Sequence, residues 1–210
     1  MTSRIDPTDR IGVPPPQHNL QTARNMAVSA LADQTDEQLE WLGAERTDAG
    51  WRLPILNGSV TVDLTSGDVR REDGTEAPPA LQVIALHYLN VRVRPEKRQP
   101  EITFPTLPSA RTYAKVQEGR VNGRLCRKIG PDRQSVLLAA AAVGAHEVDG
   151  GDAAFEATMF PHISVRVIWY AADEELPPSC TILMPANIES YLVVEDIVVM
   201  SEVLVGRLTS

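Results

Sequence analysis

Cysteine is scarce in this 210-residue chain, since Cys126 and Cys180 are the only two and no C-x-x-C spacing occurs. A disulfide framework, a four-cysteine zinc site and an iron–sulfur cluster therefore lack their ligands. We expect both thiols to be reduced and to bind no metal.

Several sequence motifs of catalysis and cofactor binding are also missing. The chain has no G-x-G-x-x-G and no G-x-x-x-x-G-K-[ST], so the glycine loops that cradle dinucleotide or nucleoside triphosphate phosphates are absent. It has neither a G-x-S-x-G nucleophile turn nor an H-E-x-x-H metal pair. We expect no cofactor, ATP and NAD included, and nucleophilic catalysis has little support.

Long apolar segments are missing as well. The longest apolar run, residues 136–145, is about half the length of a membrane span. The first ten residues carry charges and a proline where a secretory signal needs an apolar stretch. These absences predict a soluble cytoplasmic protein that does not enter a membrane.

Charge is unevenly distributed along the chain. The formal net charge is −8, which disfavours nucleic acid as a partner. Residues 92–133 nevertheless carry 11 basic and 4 acidic side chains, whereas residues 134–210 carry 2 basic and 11 acidic ones. The acidic average therefore conceals a basic centre. Only Phe104 and Tyr113 interleave it, too few for a base-stacking platform.

Hydrophobic patterning predicts a single α+β domain over residues 19–210, with an antiparallel sheet packed against helices. Residues 1–18 contain four prolines and predict an extended, disordered arm. The predicted helices cover residues 20–32, 36–42, 79–89, 110–118, 131–144 and 195–208. The predicted strands cover residues 51–56, 59–64, 68–71, 102–104, 155–160, 163–170 and 180–184, with Asn57-Gly58 as a hairpin turn.

Four strings in this order resemble one uncharacterised family of bacterial and archaeal domains. They are His87-Tyr88-Leu89, the GDAAF string at 151–155, the DEELPPS string at 173–179, and Tyr191-Leu192 ahead of Glu195-Asp196. The family has no assigned catalytic residues, so none is transferred. Some of its members sit beside iron–sulfur or corrinoid-type modules, and the resemblance implies partnership with such a protein as one alternative.

The acidic loop Asp173-Glu174-Glu175 follows the clearest predicted strand, and three adjacent carboxylates there are suited to Mg²⁺ or Ca²⁺. Asp152 lies in a glycine turn that predicts proximity to the same end of the sheet. His162 precedes that strand and is the histidine we single out as an acid, base or ligand. A solvated hairpin tip is the competing interpretation of this loop.

The basic centre holds Arg120, Arg124, Arg127 and Lys128 at spacings that form one cationic helix stripe. Arginine suits two-point binding of carboxylate or phosphate groups. The competing interpretation is that the acidic C-terminal third neutralises this stripe internally. His87 and Tyr88, on an apolar helix, are further candidates for ligand binding, with a hydrogen-bonded core histidine as the alternative for His87.

These patterns predict an accessory, ligand-binding or protein-interaction domain that is non-catalytic by default. Its partner would be an unidentified protein or a small anionic ligand, and a homodimer would form through the complementary charged segments. The alternative is a metal-dependent or acid–base enzyme that uses His162, Asp152 and the carboxylates of residues 173–175.

Overall fold

The computed structural model describes residues 17–95 and 100–210. Of the predicted arm, residues 1–16 lie outside the described residues, while Gln17 and His18 already belong to the first helix. The helices are α1 (Gln17–Leu31), α2 (Asp36–Trp41), α3 (Pro79–Leu89), α4 (Ala114–Gln117), α5 (Gly123–Lys128), α6 (Arg133–Ala142) and α7 (Val194–Leu208).

Within residues 17–95 and 100–210, nine strands form two antiparallel sheets. The strands are β1 (Glu45–Thr47), β2 (Gly50–Ile55), β3 (Gly58–Val62), β4 (Val69–Arg71), β5 (Glu101–Thr103), β6 (His146–Glu147), β7 (Ala153–Phe160), β8 (Ile163–Tyr170) and β9 (Ser179–Pro185). The first sheet has the order β1-β2-β3-β4, and the second has the order β5-β9-β8-β7-β6. The predicted α+β class is confirmed, with two sheets where we expected one.

The first sheet turns one residue earlier than the sequence predicted. Ile55 pairs with Gly58, so Leu56 and Asn57 form the two-residue turn and Gly58 begins β3. Leu56 has a φ of 54°, a backbone conformation that residues other than glycine and asparagine rarely adopt. A turn prediction based on the Asn-Gly pair therefore finds the hairpin but not its register.

The second sheet follows from alternation in β8, whose residues 163, 165, 167 and 169 are buried while the intervening ones are not. β8 pairs with β7 on one side and β9 on the other. Phe155 and Trp169 are fully buried members of the core. The strongest predicted strand thus lies at the centre of the sheet.

Helix α3 is buried on nearly all sides, as its continuous apolar sequence predicted, and it packs between α1 and α7. Helix α2 begins at the predicted cap, where the Thr35 hydroxyl accepts a hydrogen bond from the Gln38 amide. Helix α1 contacts the turn between β3 and β4, where the Arg24 guanidinium lies 3.0 Å from the Asp68 carboxylate. The first sheet and the helices thus share one core.

The basic centre differs most from its prediction. The helix predicted at residues 110–118 is a 3-10 turn over Ala110–Thr112 followed by α4. Between α4 and α5, residues Glu118–Asn122 form a π-helical turn. The result is an almost continuous helical rod whose middle turn is wider than an α-helical turn. No helix among residues 17–95 and 100–210 is long and apolar enough to cross a membrane.

Candidate ligand-binding groove

An open groove of about 730 Å³ lies between the first sheet and the C-terminal half of α7. Its volume is within the range of small-molecule sites, about 300–1,000 Å³. Its apolar part includes Ile55, Leu56, Val60, Leu81 and Val203. Arg71, Glu72, Asp73 and Arg207 contribute its charged groups, and Asn57 and Ser59 contribute polar ones.

The Leu56-Asn57 turn forms one wall of the groove and is fixed from outside the hairpin. The Leu56 amide donates to the Thr158 carbonyl oxygen at 3.1 Å, which joins the two sheets. Asn57 Nδ2 donates to the Ala142 carbonyl oxygen at 2.9 Å. These contacts hold Leu56 at its positive φ, a strain of about 1–3 kcal/mol of the kind that clusters at ligand sites.

The two carboxylates of the groove are engaged by neighbouring side chains. Glu72 accepts a hydrogen bond from the Ser59 hydroxyl at 2.9 Å. Asp73 accepts bonds from the hydroxyl and amide of Thr75, and these bonds lower the pKa of the Asp73 carboxyl. Both acids are therefore used within the first sheet and its adjoining turn.

The two guanidinium groups of the groove have donors to spare. Arg207 donates one bond, at 3.3 Å, to Asn57 Oδ1. Arg71 acts on Asp73 through its charge, but within the described part of the chain it forms no hydrogen bond or close ion pair from its side chain. Each guanidinium carries about five N–H donors. The groove therefore offers unused cationic donors beside an apolar wall.

The predicted cationic stripe divides into an inner and an outer part. Arg120 lies 3.7 Å from the Glu202 carboxylate on α7, and Arg124 also acts on Glu202 through its charge. Burial raises the pKa of Glu202, and the two arginines oppose that effect. Arg127 and Lys128 are exposed. Internal neutralisation thus accounts for Arg120 and partly for Arg124, but not for the outer pair.

Other basic residues of the centre also contact the acidic or carbonyl groups around them. Arg94 binds Glu37 at 3.0 Å and lies over the Trp41 ring. Arg92 donates to the carbonyl oxygens of Ala30 and Asp33, and Arg133 pairs with Glu147. Lys97 and Arg98 lie outside the described residues. Much of the basic centre is therefore structural.

His87 and Tyr88 occupy different environments although they are adjacent. His87 Nδ1 lies 2.7 Å from Asp196 Oδ2 on α7. The Asp196 hydrogen bond, aided by one to the Ala23 backbone, raises the pKa of His87 against the opposing effect of burial. Tyr88 is fully buried, and its hydroxyl donates to the Leu42 carbonyl oxygen. Tyr88 is thus a core residue that a ligand does not reach, contrary to the predicted ligand-binding role.

His162 is a packing residue at the β7–β8 turn. Its ring stacks on Trp41 at a centroid distance of 4.2 Å, and its Nε2 donates to the Trp41 carbonyl oxygen at 2.6 Å. Its amide donates to the Tyr88 hydroxyl at 3.3 Å. These bonds fasten the second sheet to α2 and α3.

The structure does not bring His162 near the acidic residues with which we grouped it. His162 and the Asp173-Glu174-Glu175 loop lie at opposite ends of β8. At the usual rise per residue of a strand, the length of β8 separates them by about 25 Å. Asp152 Oδ2 accepts the Ala171 amide at 2.8 Å, so it does lie at the loop's end of the sheet, as expected. The predicted cluster of histidine and carboxylates is therefore not assembled.

The acidic loop itself has the geometry of a turn. Asp173 Oδ1 accepts the amides of Glu175 and Leu176, and these bonds lower the pKa of its carboxyl. Glu174 and Glu175 are exposed. Throughout residues 17–95 and 100–210, no three His, Cys, Asp or Glu side chains are grouped closely enough to hold a metal ion.

Fold and groove together define an α+β domain of two antiparallel sheets with an open cleft beside its last helix. The chain belongs to the family DUF3786, a domain of unknown function, whose family model matches residues 35–207. The resemblance read from the four strings is thereby confirmed. No curated protein and no solved structure matches the chain.

No sequence pattern predicted that Leu56, Arg71 and Arg207 line one groove. They come from the first hairpin, β4 and α7, so their proximity depends on how α7 packs. Asp196 was also missed as the partner of His87, although both belong to the strings that identify the family. Those strings contain six carboxylates, so no local signal singles out Asp196 as the partner.

Proposed function

We propose that this domain binds a small organic anion with an apolar body, without catalysing a reaction, in the groove between the first hairpin and α7. The observation that carries the proposal is the pairing of unused donors on Arg71 and Arg207 with the apolar wall of Leu56 and Val203. An anionic head would take the guanidinium donors, and an apolar body would cover the wall.

The backbone strain at Leu56, which has a positive φ, supports the proposal. A glycine at this turn position would adopt the same φ without cost, but it would remove the side chain that lines the groove. The leucine is retained in a costly conformation at the point where it contributes apolar surface. This is the arrangement expected of a preorganised binding wall.

The proposal is tested by calorimetric titration with octanoate, which has an apolar chain and a carboxylate. Octanol and inorganic phosphate serve as probes with one of these features each. We expect octanoate to bind at least about tenfold more tightly than octanol, because a charge-assisted hydrogen bond contributes about 1.5–3 kcal/mol. Octanoate should also bind more tightly than phosphate, because phosphate has no apolar chain to cover the wall. Arg207→Gln and Arg71→Gln should each weaken octanoate binding several-fold.

The matched control is Arg127→Gln, which removes an exposed arginine on α5 outside the groove lining. It should leave octanoate binding unchanged. Equal affinity for octanoate and octanol would contradict the proposed anionic head site. Equal weakening by Arg127→Gln and Arg207→Gln would place the binding elsewhere on the surface.

Protein interaction is a second candidate function, favoured by the loop that follows β8. Tyr170 and Leu176 are 48% and 66% exposed on either side of the acidic residues. A partner with apolar and cationic side chains would fit this loop. If a second copy of the chain is that partner, the size of the assembly in sedimentation should decrease as salt rises. A size that does not change with salt would contradict a homodimer held together by charge.

Three earlier expectations stay predictions. A cytoplasmic location and the exclusion of nucleic acid depend on composition and charge. Partnership with a corrinoid or iron–sulfur protein depends on the family resemblance alone. The enzyme alternative built on His162 is not retained, because its carboxylates lie at the other end of β8.

A further inference from the structure

The two cysteines, 54 positions apart in sequence, meet where α5 packs on β9. Cys126 Sγ donates to the Pro178 carbonyl oxygen at 2.9 Å, and Pro178 is two residues before Cys180. The Cys126 side chain also lies near enough to Cys180 to act electrostatically on its thiol. Both thiols are free and partly exposed. The fold therefore builds a dithiol from residues that the sequence shows only as isolated cysteines.

We propose that Cys126 and Cys180 are a redox modification site, where a peroxide converts the dithiol into an intramolecular disulfide. One cysteine thiolate attacks the peroxide oxygen, which gives a sulfenic acid and releases one water. The second thiol then attacks that sulfur, and the sulfenic oxygen leaves as a second water. Two thiols and one hydrogen peroxide thus yield one disulfide and two waters.

The surroundings assign an order to the two cysteines. Burial raises the pKa of the Cys180 thiol, and the neighbouring Cys126 adds to that effect. The raised pKa leaves a smaller thiolate fraction on Cys180, which makes it the poorer nucleophile toward peroxide. Cys126 is the residue that is oxidised first, and Cys180 resolves its sulfenic acid.

The disulfide has a defined structural consequence. It replaces the non-covalent contact between α5 and β9 with a covalent one, because Cys126 belongs to α5 and Cys180 to β9. The acidic loop at residues 171–178 leads directly into that bond. Oxidation would therefore fix the loop against the basic helix end that carries Arg127 and Lys128.

The test is to treat the reduced full-length protein with one equivalent of hydrogen peroxide and to map its peptides by mass spectrometry without reduction. We expect a linked pair of peptides containing Cys126 and Cys180, about 2 Da lighter than the sum of the reduced peptides. Peptide mapping separates this product from methionine sulfoxide. Recovery of the unlinked pair on adding dithiothreitol should be complete.

Single variants test the order of reaction. Cys180→Ser should accumulate a sulfenic acid on Cys126, which dimedone traps, whereas Cys126→Ser should give several-fold less adduct on Cys180. Circular dichroism confirms that each variant is folded, and Cys180→Ala replaces Cys180→Ser if it is not. Free thiols in the treated wild type, or only disulfide-linked dimers, would overturn the proposal.

Discussion

The His87–Asp196 pair makes stability depend on pH in a direction that the structure fixes. Asp196 accepts from His87 Nδ1, and the Ala23 backbone interacts with the same imidazole. Only the doubly protonated ring can donate to a carboxylate and a carbonyl together. Folding raises the pKa of His87, so the protonated ring stabilises the folded state. This stabilisation is complete below the ordinary pKa of about 6.5 and is lost as pH rises through the pKa of the folded state.

The expected magnitude follows from burial. The Asp196 side chain is 8% exposed and that of His87 is 27% exposed. A hydrogen bond between charged groups contributes about 1.5–3 kcal/mol, and partial solvent access to His87 reduces this to about 1–2 kcal/mol. Deprotonation leaves the hydrogen bond from the neutral ring and removes about half of this contribution, so in a chain of this length the melting temperature falls by about 1–4 °C.

A double-mutant cycle with His87→Gln and Asp196→Asn, followed by urea unfolding, isolates the pair. We expect a coupling of about 1–2 kcal/mol near pH 6 that falls by about half near pH 9. A coupling that is zero, or that grows with pH, would refute this account of the pair.

Two substitutions test the local geometry, each against a matched control. Gly67→Ala should lower the free energy of unfolding by well over 1 kcal/mol, because the new Cβ would lie 2.1 Å from Val28 Cγ2. Gly74→Ala has a similar positive φ but open space around it, so it should cost only the backbone strain of about 1 kcal/mol. Equal shifts in melting temperature would contradict the packing of α1. Thr35→Ala should cost about 1 kcal/mol by removing the α2 cap, and Thr35→Ser should restore most of it in urea unfolding.

The elements that could be predicted from sequence are those whose signals are local. Alternation identified β8, and spacing together with Pro79 identified α3. The Thr35 cap located the start of α2 to the residue. Each of these depends on neighbours within one or two turns of chain, which is the range over which a pattern carries information.

The rest depends on packing between distant segments. The first hairpin and α7 form the groove together, and no local pattern places Arg207 near Asn57. The same applies to Cys126 and Cys180, which are brought near each other only because α5 lies on β9. His162 attracted a chemical interpretation from its position before a strand, but its ring stacks on Trp41, about 120 residues earlier.

The π-helical turn at Glu118–Asn122 sets the rotational phase of everything in the rod after it. A π turn holds about one residue more than an α turn, and one residue corresponds to about 100° around a helix. Removing a single residue from this turn would therefore rotate α5 as a unit. Arg124 would leave Glu202 and Cys126 would leave Cys180 in the same step, so one inserted residue keeps two unrelated contacts in register.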